Sequence, residues 1–277
     1  MSDKYEKYYT YDYPIDINGL KLYPVKMTDY IDFFDNINCL LFNKNRIPDI
    51  QVIKMSYLAF LYCISIQNYD FLKALENLLY ICFRLNRDKF EIDFNADKKG
   101  KPCIIINEYE LIKDKEGKFV KSTKIINTWQ FSQKDFNNIR KIISEQNLVE
   151  LPNDTIDPKL EAALLEAQDF INRKNNNIKI ISLEDQMISV MINTPLNWDS
   201  ILSLSIRKFV KILERKNKEL HYQIYKTASL SGMVEFKKEP VHYLYDEQKD
   251  KYEHLVSGYD EYMEKIGQIT DTKEGGK

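Results

Sequence analysis

The hydrophobic periodicity of the chain changes twice, and that change limits the architecture more than any single motif. From Thr28 to Cys82 apolar residues recur at three- and four-residue intervals, as on one face of a helix. Near Lys89 the period drops to two. Phe90, Ile92 and Phe94 alternate with Glu91 and Asp93, the pattern of a strand with one buried face. Two more extended runs follow, Pro102–Ile112 and Phe119–Phe131, separated by the charged turn Lys113–Lys118 with its single glycine. After Ser132 the helical period returns. Successive strands joined by a short turn pair antiparallel, so the middle of the chain is expected to form a three-stranded antiparallel meander between helical parts. The expected class is α+β, predominantly α-helical.

Ahead of the first helix, the runs Tyr11–Ile17 and Leu20–Val25 flank Asn18-Gly19, a pair that tolerates the positive φ values of a type I′ turn and so predicts a β-hairpin. Thr28 is the expected N-cap of a helix whose stripe is Tyr30, Phe33, Phe34, Ile37, Leu40 and Leu41, with Asp29 and Asp32 near the positive end of its dipole. Ile47-Pro48-Asp49 breaks the pattern. Val52–Ile66 then reads as a second helix, and Asn68 as the cap of a third that runs through Leu72, Leu75, Leu79 and Cys82. Ser132 with Asp135 three residues on is a capping-box variant, opening a helix that turns Phe136, Ile139, Ile142 and Ile143 inward. Asp157-Pro158 opens another helix, to about Arg173, and Asn175–Asn177 reads as a flexible joint. Ser182 caps a short helix that Thr194-Pro195 ends. Asn197–Lys237 carries a long helical pattern, interrupted near Ser203–Ser205, which stops at Gly232 and turns into a short apolar strand. Val241–Tyr245 reads as extended and Asp246–Ile266 as a polar helix. The expected organisation is a flexible leader at 1–10, a hairpin–helix–meander part at 11–131, a C-terminal helical part at 132–267 and a disordered tail at 268–277.

Composition narrows the function classes. With 277 residues and 44% hydrophobic content the chain can fill a core, and only 8 Gly and 8 Pro argue against loop-rich or low-complexity architectures. A net charge of −2 supplies no global field for nucleic acid or anionic membrane. The first residues, MSDKYEKYYTYD, lack the apolar core of a signal peptide, and no window approaches a membrane span. Cys39, Cys63, Cys82 and Cys103 contain no CxxC pair, so they read as buried free thiols rather than a metal or redox site.

No motif for chemistry emerges. His221, His242 and His254 are the only histidines, and none has a partner at a metal or acid–base spacing. His221 has Tyr225 one helical turn on, which fits a structural pair. Asp93, Glu108 and Glu110 lie on the predicted sheet, with Glu108 and Glu110 on one face. Glu110 and Lys113 would fall on opposite faces, so the Glu-x-Lys alternation of metal-dependent nucleases is missing. Phosphate-cradling glycine motifs are absent from the sequence, and Ser229-Leu230-Ser231-Gly232 reads as a helix stop rather than a nucleophile turn. The expectation is therefore a protein that is not an enzyme, with no catalytic, cofactor-binding or metal site and no cofactor. Two features point to contacts instead. One is the aromatic cluster Tyr5, Tyr8, Tyr9, Tyr11 and Tyr13 on the polar leader, which suits a docking arm. The other is the basic and aromatic face of the long helix, with Arg207, Lys211, Arg215, His221, Tyr222 and Tyr225; this Arg207–Lys226 face supports the alternative of a nucleic-acid-binding or regulatory protein.

The front hairpin and helix, DYPIDINGLKLYPVKMTDYIDFFDNINCLLFNKNRIPD, the middle element beginning FSQKDFNNIRKIISEQ, and the terminal WDSILSLSIRKFVKIL followed by LHYQIYKTASLSGMVEFKKEPVHYLYD occur in an order that resembles tail-region proteins of phages infecting low-GC Gram-positive bacteria. The chain is similar to their tail assembly or baseplate-hub chaperones over most of residues 11–245, through element order and apolar pattern. The resemblance implies a role in virion morphogenesis, with tape-measure, tube or baseplate components as partners. It also implies residence in the host cell cytoplasm, or in the virion tail if the protein is retained. No site residue is carried over, because these proteins share no motif that defines one.

Overall fold

The structure, a computed structural model, describes residues 5–44, 47, 49–66, 69–113, 119–152, 181–231 and 242–244. Through them run α1 (Glu6–Tyr11), β1 (Ile15–Ile17), β2 (Leu20–Leu22), a 3-10 turn (Met27–Asp29), α2 (Tyr30–Leu41), α3 (Ile50–Lys54), α4 (Tyr57–Ser65) and α5 (Asp70–Phe83). The sheet strands β3 (Phe90–Ala96), β4 (Pro102–Lys113) and β5 (Phe119–Phe131) follow. Helices α6 (Gln133–Asn147), α7 (Leu183–Asn193), α8 (Trp198–Ser203) and α9 (Ile206–Leu230) complete the order. The protein is α+β and mainly helical, with one two-stranded and one three-stranded antiparallel sheet among the described residues. It divides into two compact units, Met1–Asp154 with Leu196–Lys211, and Thr155–Pro195 with Ile212–Lys277. The boundary expected after Phe131 falls inside the first unit, because α6 packs on α4, β4 and β5.

The hairpin forms where Asn18-Gly19 places it. Asn18 has φ 55° and Gly19 φ 88°, both positive as a type I′ turn requires. The Gly19 N–H donates to Asp16 Oδ1 at 3.0 Å, and the register pairs Ile15 with Leu22 and Ile17 with Leu20, all four buried. The first strand is shorter than expected. Tyr11 belongs to α1, which ends in a left-handed Asp12. Residues 6–11 are therefore helical and anchored, not a flexible leader.

Local capping chemistry explains most element starts. Ser132 Oγ accepts from the Asp135 N–H at 3.3 Å while Asp135 Oδ2 accepts from the Ser132 N–H at 2.9 Å, a reciprocal capping box. Ser182 and Asn197 cap α7 and α8 through the N–H groups of Asp185 and Ser200. Thr28 does not cap α2. It sits in the 3-10 turn, and α2 starts after Asp29 with no side-chain cap, its Asp32 still near the positive dipole end. The expected single helix Val52–Ile66 is two helices. Met55 and Ser56 are extended, and Ser56 Oγ accepts from Ala59 N–H at 3.2 Å, so the serine restarts the helix rather than continuing it. The break expected near Ser203–Ser205 is present, with Ser205 bridged to Lys26. The expected cap Asn68, the helix from Asp157, the joint at Asn175–Asn177, the strand after Gly232, the helix from Asp246 and the tail all lie outside the described residues.

The first unit has one core. Phe33, Ile37 and Leu40 of α2 pack against α5, where Leu75, Leu78, Leu79 and Cys82 are buried. Ile92, Ile104, Ile106 and Phe131 give the meander its buried positions, and Phe83 stacks on Phe131 at 5.9 Å. Arg140 of α6 is buried inside this core. Its Nε and Nη2 donate to the Leu40 carbonyl at 3.1 and 2.9 Å, and its guanidinium lies 3.5 Å from the centre of the Tyr57 ring. The Tyr57 hydroxyl donates in turn to Cys39 O at 3.0 Å and Phe42 O at 3.1 Å. A helix end leaves its last carbonyls without partners. Here a cation and a phenol from other elements supply them at the negative end of α2.

Two stability measurements follow. Gly19→Ala should lower stability by about 1–2 kcal/mol, the cost of a left-handed Cβ-bearing residue. The added Cβ itself would meet only Trp129 Nε1 at 3.6 Å, an ordinary contact. Arg140→Met should cost about 1–3 kcal/mol from the orphaned Leu40 carbonyl, against under about 0.5 kcal/mol for Lys124→Ala at an exposed ion pair. Urea unfolding midpoints read both.

Candidate functional site

The tyrosines of the N-terminal segment separate into anchor and display. Tyr9 is buried, its hydroxyl donating to Glu145 Oε2 at 2.5 Å, while Arg207 lies 5.4 Å over its ring and donates from Nη1 to the Glu145 carbonyl at 2.6 Å. Asp12, just past the helix, accepts from Ser205 Oγ–H at 2.9 Å and pairs with Lys208 at 2.9 Å. These contacts clamp the C-terminal half of α1. Tyr9 is thus an internal anchor, its polar tip and its ring face both engaged within the chain. Tyr8, Tyr11 and Tyr13 remain 39%, 60% and 50% exposed, with the Tyr11 and Tyr13 rings 5.7 Å apart. Side chains that sequence alone left out, Glu145 and Asp12, hold this display in place; neither lies in a pattern that marks it.

The basic helix face divides in the same way. Arg207 is spent on Glu145 and Tyr9. Arg215 Nη1 donates to Tyr243 O at 2.9 Å, and the Tyr222 ring lies 5.0 Å from His242 and 5.9 Å from Tyr243. Lys211 and Tyr225 are exposed, and His221 stacks on Tyr225 at 6.4 Å as its spacing suggested. Two of the cations on which phosphate binding would rely, Arg207 and Arg215, point into the protein's own backbone carbonyls. Helix α9 also exposes the apolar Leu220, Ile224 and Leu230, alongside the exposed Lys211, Lys218 and Lys226.

On the sheet, each carboxylate has its own neighbour. Glu108 pairs with Lys89 Nζ at 2.5 Å and accepts from Asn127 Nδ2 at 2.5 Å, Glu110 pairs with Lys124 at 3.1 Å, and Asp93 accepts from Asn107 Nδ2 at 3.2 Å. The register shifts at Glu108/Tyr109 and Tyr109/Leu111 put their extra residues on β5, so β4 keeps its alternation through Glu108 and Glu110. Among the described residues no group of three or more His, Cys, Asp or Glu side chains is placed to hold a metal ion. The thiols of Cys39, Cys82 and Cys103 are buried, but Cys63 is exposed, contrary to the expectation for all four. Burial pushes Cys39 up to about 12 and raises Cys82 as well, which keeps both in the unreactive thiol form. No helix among the described residues is long and apolar enough to cross a membrane.

Comparison with protein-family models, with curated proteins and with solved structures finds no match to this chain. The titration of Glu108 provides a direct check of the sheet geometry. Lys89, and then Asn127, hold its carboxyl below the usual range. A carboxylate depressed on folding stabilises the protein above its unfolded pKa, about 4.3. That contribution is lost as pH falls through the lower folded value. Glu108→Gln should therefore reduce stability at neutral pH, and the gap to the unsubstituted protein should close as pH drops below about 4. A gap that persists at acid pH would show that the loss comes from packing.

Proposed function

We propose that this protein is a non-enzymatic tail assembly chaperone or minor tail or baseplate structural protein of a bacteriophage, working through protein–protein contacts. One observation carries the contact part of this reading: the Tyr9–Glu145–Arg207 clamp holds α1 so that Tyr8, Tyr11 and Tyr13 stand exposed on a fixed support. Tyrosine offers large contact area with few rotors, and pre-ordering its backbone removes part of the entropy cost of docking. The element order that resembles phage tail proteins supplies the biological setting, with tape-measure, tube or baseplate components as partners and the host cytoplasm as the place of action.

Affinity capture of the tagged protein from an infected host lysate, read by mass spectrometry, tests the reading. Tail proteins should be recovered, and Tyr8→Ala with Tyr11→Ala should cut that recovery about tenfold or more, the loss of an interface anchor, without moving the unfolding midpoint. Absence of the protein from both virions and tail precursors would overturn the assignment.

A further inference from the structure

The second compact unit carries an interaction surface of a different kind, and the case for it does not depend on a phage setting. Along α9, Leu213, Asn217, Leu220, Ile224 and Thr227 follow one another at alternating steps of four and three residues. That is a period of 3.5, the seam of a left-handed coiled coil, with Leu213, Leu220 and Thr227 at d and Asn217 and Ile224 at a. Leu220 is 40% and Ile224 64% exposed, and Asn217 and Thr227 are exposed as well. Among the described residues, the ring and backbone contacts of this stretch of α9 lie elsewhere. Arg215 and Tyr222, which hold Tyr243 and His242, are seven residues apart at the f position, on the side of the helix opposite the seam.

We propose that this stripe is the interface of a parallel, in-register dimer between two copies of the chain. The residue types select the occupant. Leucine at d with β-branched isoleucine at a favours two strands over three or four. Asn217 is the stronger argument. A buried asparagine needs an amide partner, and a second copy in register supplies one by symmetry at the same level of the seam, whereas an apolar helix would leave its amide unsatisfied. The interface is therefore isologous, closed at two chains. Nucleating a helix from the unfolded chain is unfavourable. Here α9 is already formed, because its first turn is anchored by buried Ile206 and Phe209, so pairing does not have to supply the cost of helix nucleation.

Sedimentation of the full chain over about 1–100 µM, the range in which a weak interface shows itself, should reveal a monomer–dimer equilibrium. Leu220→Glu with Ile224→Glu should weaken it about 100-fold or more while the far-ultraviolet spectrum and unfolding midpoint stay unchanged, since both positions are exposed. A second measurement stands if that variant misfolds. In a Cys63→Ser background, which removes the exposed thiol, Asn217→Cys should form an interchain disulfide under mild oxidation much faster than Lys218→Cys, whose side chain points away from the seam. A chain that stays monomeric throughout, a dimer that survives the double glutamate substitution in folded protein, or equal cross-linking at 217 and 218 would each overturn the proposal.

Discussion

The extended segment Tyr23–Met27 leaves the hairpin and runs among elements that are far apart in sequence, and its backbone ties them into one core. The Tyr23 N–H donates to Cys82 O at 2.8 Å, at the end of α5, and the Val25 N–H donates to the Asn147 side-chain oxygen at 3.1 Å, at the end of α6. The Val25 carbonyl accepts from the Ile206 N–H at 2.9 Å and the Met27 N–H donates to Leu204 O at 2.9 Å, which fixes the start of α9. Arg84 adds a bond from Nη2 to Pro24 O at 3.2 Å. Val25 and Met27 are buried, so each of these groups would be costly if left unpaired. Among the described residues, no full strand partners this segment. Three helix junctions and one side-chain amide take that role, and the amide is held by its own bond from Asn147 Nδ2 to Ile143 O at 2.8 Å.

Tertiary bonds also reach several helix ends. Glycine usually supplies the left-handed residue there, yet α1, α5 and α6 stop at Asp12, Arg84 and Leu148, with φ of 57°, 52° and 55°. Those backbones are strained for side-chain-bearing residues. Two of the three are tied by tertiary bonds: Asp12 to Ser205 and Lys208, and Arg84 to Pro24 and, at 4.5 Å, over the Tyr23 ring. The end of α2 has no left-handed residue at all and relies on Arg140 and Tyr57. Local backbone bonds close these three ends, Tyr13 N–H to Tyr8 O, Leu85 N–H to Tyr80 O and Val149 N–H to Ser144 O, and the tertiary bonds of Asp12 and Arg84 tie two of them to the rest of the first unit.

This arrangement connects to contact-making at two points. The clamp on α1 converts a tyrosine-rich leader into a fixed display, since it buries one ring and leaves its neighbours in solvent. Helix α9 starts with buried Ile206 and Phe209, and Leu220, Ile224 and Leu230 further along it are exposed. On α1 the buried anchor gives the exposed tyrosines their rigidity, which lowers the entropy lost when a partner docks.

Much of the local architecture was legible in the residues. The period-two run at Phe90–Phe94 and the two extended runs after it marked the three strands of the meander, Asn18-Gly19 marked the hairpin because few other pairs accept two positive φ values, and Ser132-x-x-Asp135 marked the start of α6 because both halves of its capping box are local. Other elements were not legible, for equally physical reasons. Met55-Ser56 interrupts an unbroken apolar pattern, since a serine cap competes with helix continuation by a margin that periodicity does not reveal. Tyr9 looked like its neighbours, because nothing nearby in sequence announces Glu145 as its acceptor 136 residues away. Arg207 and Arg215 read as a basic surface because charge alone does not show that a backbone carbonyl waits to receive it. Local hydrogen-bonding and steric preferences, written into short stretches, determined the elements and the antiparallel sheet. Only the tertiary structure decided which polar and aromatic side chains anchor the core and which stay in solvent, because that choice depends on bonds between residues that meet only when the chain has folded.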